Sequence, residues 1–274
     1  LPLSVMAKPG NGALEFVANK GQWEGPFLYK AATGNGQVFL ERNTFTYVIG
    51  APENDTKIKD FKVGKSLAGI LNYHAYKMVF EGGNVNTTVT ESKLQQHYYN
   101  YFLGNDETKW KSGIHPALAL DYHNMYKNVD VHIASDGDNM KYDLIVNPGA
   151  DVSKIRMKYV GATSLNIKSG KLVIGTTVGN VEELKPYAYQ IINGERTEVT
   201  CKYKLDGDVV TFSFPYGYDE TQMLVIDPTV VFATFTGSSF DNWGYTATYD
   251  AAGNFYAGGV TSNSSGGTGY PILP

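Results

Sequence analysis

Along most of this chain, short runs in which apolar and polar residues alternate one for one are separated by turn residues. No window of about a dozen residues keeps the three-to-four spacing of an amphipathic helix with caps. Val38 to Ile49 reads as a hairpin, with VFLE and TFTYVI joined at Arg42-Asn43. Residues 51 to 72 are polar and aperiodic and read as a long loop. Tyr76, Met78 and Phe80 alternate before Gly82-Gly83, and an aromatic run follows at His97-Tyr98-Tyr99-Asn100-Tyr101-Phe102. Val129, Val131 and Ile133 alternate up to the turn SDGDN, and Met140, Tyr142, Leu144 and Val146 alternate on the return. Ile155, Met157 and Tyr159 mark another strand, and Leu165 and Ile167 pair across KSGK with Leu172 and Ile174. Tyr187, Tyr189 and Ile191 lead into Asn193-Gly194. Val199, Cys201, Tyr203 and Leu205 then run to Asp206-Gly207, before Val210, Phe212 and Phe214. Asn-Gly and Asp-Gly provide the positive φ angles that tight hairpins require.

This pattern predicts an all-β fold of two β-sandwich-like domains followed by the start of a β-propeller. The expected division is an arm at 1–13, a first sandwich at 14–127, a second at 128–228, and an incomplete propeller blade at 229–274. The last boundary rests on Ile226-Asp227-Pro228, where proline stops a strand and the texture of the sequence changes. Beyond Val231 come a strand, a glycine turn, a strand from Tyr245 to Tyr249, a turn from Asp250 to Asn254 and a strand from Phe255 to Gly258. A single blade cannot bury its own face, so these 274 residues are expected to be a fragment, or the ordered part, of a longer chain.

The segment Asp241-x-Trp243-Gly244-Tyr245, continuing through Asp250, Gly253-Asn254, Tyr256, Gly259 and Thr261, resembles the SBBP (seven-bladed β-propeller) repeat. It departs from that pattern in ending on the glycine-rich SNSSGGTGYP. Upstream, several segments resemble the region that precedes such repeats in large exported bacterial proteins. They are Phe16-x-x-Asn19-x-Gly21-Gln22, Asn100 to Asn105, Lys141-Tyr142-Asp143 with Asn147 to Asp151, Leu184-Lys185-Pro186-Tyr187, and Val225-Ile226-Asp227-Pro228. The resemblance implies an extracellular, cell-surface protein of the gliding-motility and type IX-secreted kind, exported through the periplasm. It implies no established catalytic residues.

Composition agrees with a β fold: 20 Tyr, 13 Phe, 3 Trp and 30 Gly suit pleated surfaces and turns. A net charge of -4 without any Lys/Arg run excludes a nucleic-acid footprint. No apolar run approaches the roughly 20 residues that span a bilayer. Cys201 stands alone, so no internal disulfide or zinc cluster can form. The start at Leu1 fits a mature terminus left by signal cleavage.

No residue is singled out as catalytic, cofactor-binding or metal-binding. His74, His97, His115, His123 and His132 make no HxH or HxxxH pair. Cys201 lies between Val199 and Tyr203 in a core-like alternation and reads as a buried thiol. Glu182-Glu183 would point to opposite faces of a strand, and an exposed rim position is expected for them. Asp136, Asp138 and Asn139, or Asp250 with Asn254, could offer calcium oxygen ligands but have the composition of ordinary turns. Trp23, Trp110 and the Tyr98 to Phe102 run suggest a sugar platform, against which stands simple core filling.

The function expected from these features is a non-catalytic structural or interaction module of an exported surface protein, adhesive or motility-associated. Its partners would be a protein or polysaccharide surface ligand, or secretion-system components. The alternative is a carbohydrate-binding module, or an accessory region of an extracellular hydrolase whose active site lies in the missing propeller.

Overall fold

The computed structural model describes residues 13–33, 36–54, 57–58, 69–136, 139–228, 230–231, 242–249 and 255–261, with backbone alone at 136, 139, 231, 242–249 and 255–261. In chain order the strands begin with β1 (Val17–Ala18), β2 (Tyr29–Thr33), β3 (Gly36–Leu40), β4 (Thr44–Gly50) and β5 (Tyr73–Phe80). They continue with β6 (Thr88–Leu94), β7 (Tyr99–Tyr101), β8 (Lys111–Ile114), β9 (Ala117–Tyr126), β10 (Val129–Asp136) and β11 (Asn139–Val146). Next come β12 (Met157–Val160), β13 (Ser164–Lys168), β14 (Lys171–Thr176), β15 (Gly179–Glu183) and β16 (Tyr187–Ile192). The last in this part of the chain are β17 (Glu195–Val199), β18 (Lys202–Asp206), β19 (Val209–Ser213), β20 (Leu224–Asp227) and β21 (Val230–Val231).

These strands form an all-β, sandwich-like fold. An eight-stranded sheet has the order β1-β2-β3-β4-β5-β12-β19-β18, and a seven-stranded sheet the order β17-β16-β20-β11-β10-β9-β6. A four-stranded sheet, β13-β14-β15-β21, and the hairpin β7-β8 complete the layers. Alternation puts one face of each large sheet into a shared core: Val38, Leu40, Phe45, Tyr76 and Met78 from the first, Leu120, Val131, Ile133, Leu144 and Ile226 from the second. Rings of Phe45 and Tyr122 meet edge to face across the layers at 5.6 Å. Leu172, Ile174, Val181 and Val230 of the small sheet join the same cluster.

Most expected hairpins are present. Leu40 pairs with Phe45 across Arg42-Asn43, and Leu165 with Ile174 and Ile167 with Leu172 across the KSGK turn. Asn193 and Gly194 both have positive φ, at 54° and 84°, closing the turn between Ile192 and Glu195.

Two expectations change. The boundary near residue 127 does not exist: β12, β18 and β19 complete the sheet of β1 to β5, while β9, with β6 beyond it, pairs with β10 in the other. Lys127-Asn128 is simply the turn between Tyr126 and Val129, with Asn128 at φ 60°. One compact unit spans Leu1–Ala233, so 14–127 and 128–228 are halves of one domain. The run from Val199 to Leu205 is also two strands. The chain leaves the seven-stranded sheet after Val199 and enters the eight-stranded one at Lys202.

The second compact unit is Thr234–Pro274. Its described residues form a hairpin of β22 (Asn242–Tyr249) and β23 (Phe255–Thr261), with a register break between Gly244 and Thr246.

Candidate functional site

The residues with most chemical potential lie in the core. Glu183 ends β15 and shares a face with Val181, which turns its carboxylate inward, where it is 1% exposed. Tyr142 from the seven-stranded sheet donates to Oε2 at 2.9 Å, and Tyr159 from the eight-stranded sheet donates to Oε1 at 2.5 Å. Tyr203 approaches the same carboxylate at 3.4 Å and the Leu184 carbonyl at 3.1 Å. Tyr76 stacks between Tyr47, at 5.0 Å, and Tyr159, at 6.3 Å. One carboxylate is thus the meeting point of all three sheets. Burial pushes its pKa up, and the three hydroxyls work against that shift. The same burial holds the tyrosine hydroxyls well above their usual range. The rim position expected for the glutamate pair therefore fits only Glu182, which is half-buried and ion-paired to Lys171 at 2.9 Å.

A second polar group runs along the outer face of the seven-stranded sheet. His132 is opposite Asp143 on one side and Asp121 on the other, and Asp121 is opposite Thr90. Lys141 bridges Asp227 at 2.6 Å and Asp143 at 3.6 Å, and His132 Nδ1 meets Asp121 at 2.6 Å. Burial, then the Asp227 charge, raise the pKa of Asp143, and Lys141 opposes them. These are residues of two motif segments, Lys141-Tyr142-Asp143 and Ile226-Asp227, drawn together into one cross-strand ion cluster.

The remaining histidines are engaged singly. His74 meets Thr177 and the Gly161 carbonyl, His97 meets Glu15, His115 meets the Gln95 and His97 carbonyls, and His123 meets Thr90. Among the described residues no three His, Cys, Asp or Glu side chains group at metal-ligand spacing. Both calcium candidates lie outside that range: Asp138 on one side, and Asp250 and Asn254 on the other, are not among the described residues. Cys201 is buried and free, and burial pushes its thiol up to about 12.

The aromatic residues form the surface feature. In β7 the alternation splits the aromatic run: Tyr99 and Tyr101 face inward. Tyr99 donates to Glu15 at 2.6 Å, and Tyr101 meets Trp23 edge to face at 4.8 Å. Trp23 also packs against Phe27, with the ammonium of Lys30 5.1 Å above its ring, so its half-buried ring is engaged on both counts and is not an open platform. The other side of the hairpin is open. Tyr98, Phe102 and Trp110 are 57%, 61% and 38% exposed, and Leu94 and Leu103 are exposed too. Their positions are fixed. Phe102 meets Trp110 edge to face at 5.6 Å, and the Trp110 indole donates to the Gly104 carbonyl at 3.2 Å, with Gly104 at φ 67°. Asp106 caps a short 3₁₀ turn at Glu107–Lys109 that delivers Trp110 back to the strand. Asn100 accepts from the Gly113 amide at 2.9 Å and ties the two strands.

A family model described as a domain of unknown function (DUF7948) matches residues 16–229, without a break across the Lys127-Asn128 turn. No curated protein matches the chain, and neither does any solved structure.

Proposed function

Since the chain belongs to the DUF7948 family, whose function is unknown, we propose from its own surface that it is a non-catalytic interaction module. In this reading it is part of an exported bacterial surface protein, and the β7-β8 hairpin is its contact face. The observation that carries the reading is the exposed Phe102 and Trp110 pair, held by its ring contact and the indole hydrogen bond, with Tyr98 also exposed and packed against His115. Exposed, clustered apolar surface of this kind marks interaction sites. Open ring faces suit the C–H faces of sugars, so a polysaccharide is the ligand class favoured here. Placement at the cell surface and export by type IX secretion rest on the motif resemblance. Glu183 and the Lys141–Asp227 pair are engaged in tying strands together and the Cys201 thiol is buried, which supports a binding role over turnover.

The test is binding of the intact chain to purified bacterial surface polysaccharides, measured by calorimetry. Binding is expected to be saturable and to weaken about tenfold or more in Trp110→Ala or Phe102→Ala, at unchanged thermal stability. Affinity equal to wild type in both variants, or hydrolysis of the polymer by the chain, would sink the reading.

A further inference from the structure

A second surface lies at the far end of β9. Ala117, where β9 starts, pairs with Leu94 near the root of the aromatic hairpin. Tyr126, where it ends, is nine residues on, roughly 30 Å away at ~3.3 Å per residue. Just before that end the strand bulges. Val131 pairs with Tyr122 and Val129 with Tyr126, so three residues of β9 stand opposite Asp130 alone. Asn124 sits at the bulge with φ 52°, and its amide is held by Asp130 Oδ1 at 2.6 Å. The side chain of Asn124 is left pointing outward and exposed.

The bulge borders an open cleft of about 670 Å³, lined by Glu81, Asn84, Asn124, Lys127, Lys154 and Arg156 together with Met125 and Tyr126. Three cations and one carboxylate give this spot a local excess of positive charge on a chain whose net charge is -4. Arg156 Nε is bound to Glu81 at 2.8 Å, which orients the guanidinium and leaves its other edge for a planar anion. Lys127 and Lys154 are both exposed and take part in none of the ion pairs of the described residues, with Asp151 the carboxylate that acts on Lys154. The Tyr126 hydroxyl, between the backbones of Glu81 and Arg156, closes the floor. The Asn124 carboxamide offers a donor and an acceptor, which suits a polyhydroxylated ligand.

We propose that the cleft between the β9 bulge and Arg156 binds a carboxylated sugar unit, a uronate, of an acidic polysaccharide. Lys127, Lys154 and Arg156 take the carboxylate, and Asn124 takes ring hydroxyls. The site stands whether or not the aromatic hairpin is a contact face.

The experiment is calorimetric titration of the intact chain with polygalacturonate, dextran sulfate and neutral dextran. Saturable binding to polygalacturonate is expected, weaker at higher salt and absent with dextran. The Lys127→Gln/Lys154→Gln double variant is expected to lose about tenfold or more in affinity, and Asn124→Asp to weaken it as well by adding a like charge. All these residues are exposed, so the fold is preserved, and Lys168→Gln, an exposed lysine outside the cleft, leaves this binding unchanged. No binding, equal binding of dextran sulfate, full affinity in the double variant, or an equal loss in Lys168→Gln would each overturn the proposal.

Discussion

Glu183 is the residue on which the interior turns. Its carboxylate receives hydroxyls from two different sheets while belonging to a third, so removing it strands several buried donors at once. Glu183→Leu is expected to cost about 3 kcal/mol or more, read from urea midpoints, because unpaired buried hydroxyls each carry a desolvation penalty. Glu183→Gln keeps an acceptor and removes the buried charge. The acid's pKa is raised from 4.5 in the folded chain, so the fold takes up a proton more readily than the unfolded chain does. The stability it contributes is complete below the unfolded value and is lost as pH rises through 4.5 towards the raised folded value. The melting temperature of Glu183→Gln, relative to wild type, should therefore improve between about pH 4 and about pH 7. A difference that stays flat across that range would mean that Glu183 titrates alike in both states. Part of this was legible in the sequence. Two adjacent glutamates on a strand must face opposite ways, and Glu183 is two residues from the apolar Val181. Following that period would have placed Glu183 inside. The tyrosines at core positions 142, 159 and 203 were the further signal, since buried hydroxyls require an acceptor.

At the scale of elements, period-two alternation identifies strands and faces but not the sheet to which a strand belongs. Val199, Cys201 and Tyr203 are all buried, so the alternation runs on unbroken while the chain changes layer at Thr200-Cys201. The thiol sits in that crossing, and burial raises its pKa to about 12. Cys201 is accordingly expected to be inert to a disulfide reagent in the native protein at pH 8 and to react fully in denaturant. Rapid labelling of the native chain would show that the crossing opens. The quoted motifs are equally elements of construction. Asn19 accepts from the Gly21 amide and donates to the Phe27 carbonyl, Gln22 donates to the Ala18 carbonyl, and Asp151 caps the turn at Val152–Lys154. They fix loops, so the resemblance they carry speaks to architecture. The aromatic run was visible as composition, but which rings face outward depends on the phase of β7 and on the capped turn before Trp110.

Across the whole molecule, the all-β class and most hairpins were legible, because local turn chemistry and alternation specify them. The partition was not, because a sheet assembled from distant strands leaves no local mark. β5 pairs with β12, and β9 with β10, across the point where a boundary was expected. Residues 14–228 should therefore unfold in one cooperative transition, and a fragment of 128–228 alone should remain unfolded by circular dichroism. A folded, cooperatively melting fragment would restore the two-domain division.

The central place of β20 also bears on how this part of the chain would carry load. It is hydrogen-bonded to β11 on one side and β16 on the other, and Lys141 grips Asp227 at its end. A pull transmitted from residues 234–274 meets β21, paired with β15, and then this strand. Two ladders and an ion pair resist together there, so the sandwich would act as an anchor that yields last, with slack taken up elsewhere along the tether.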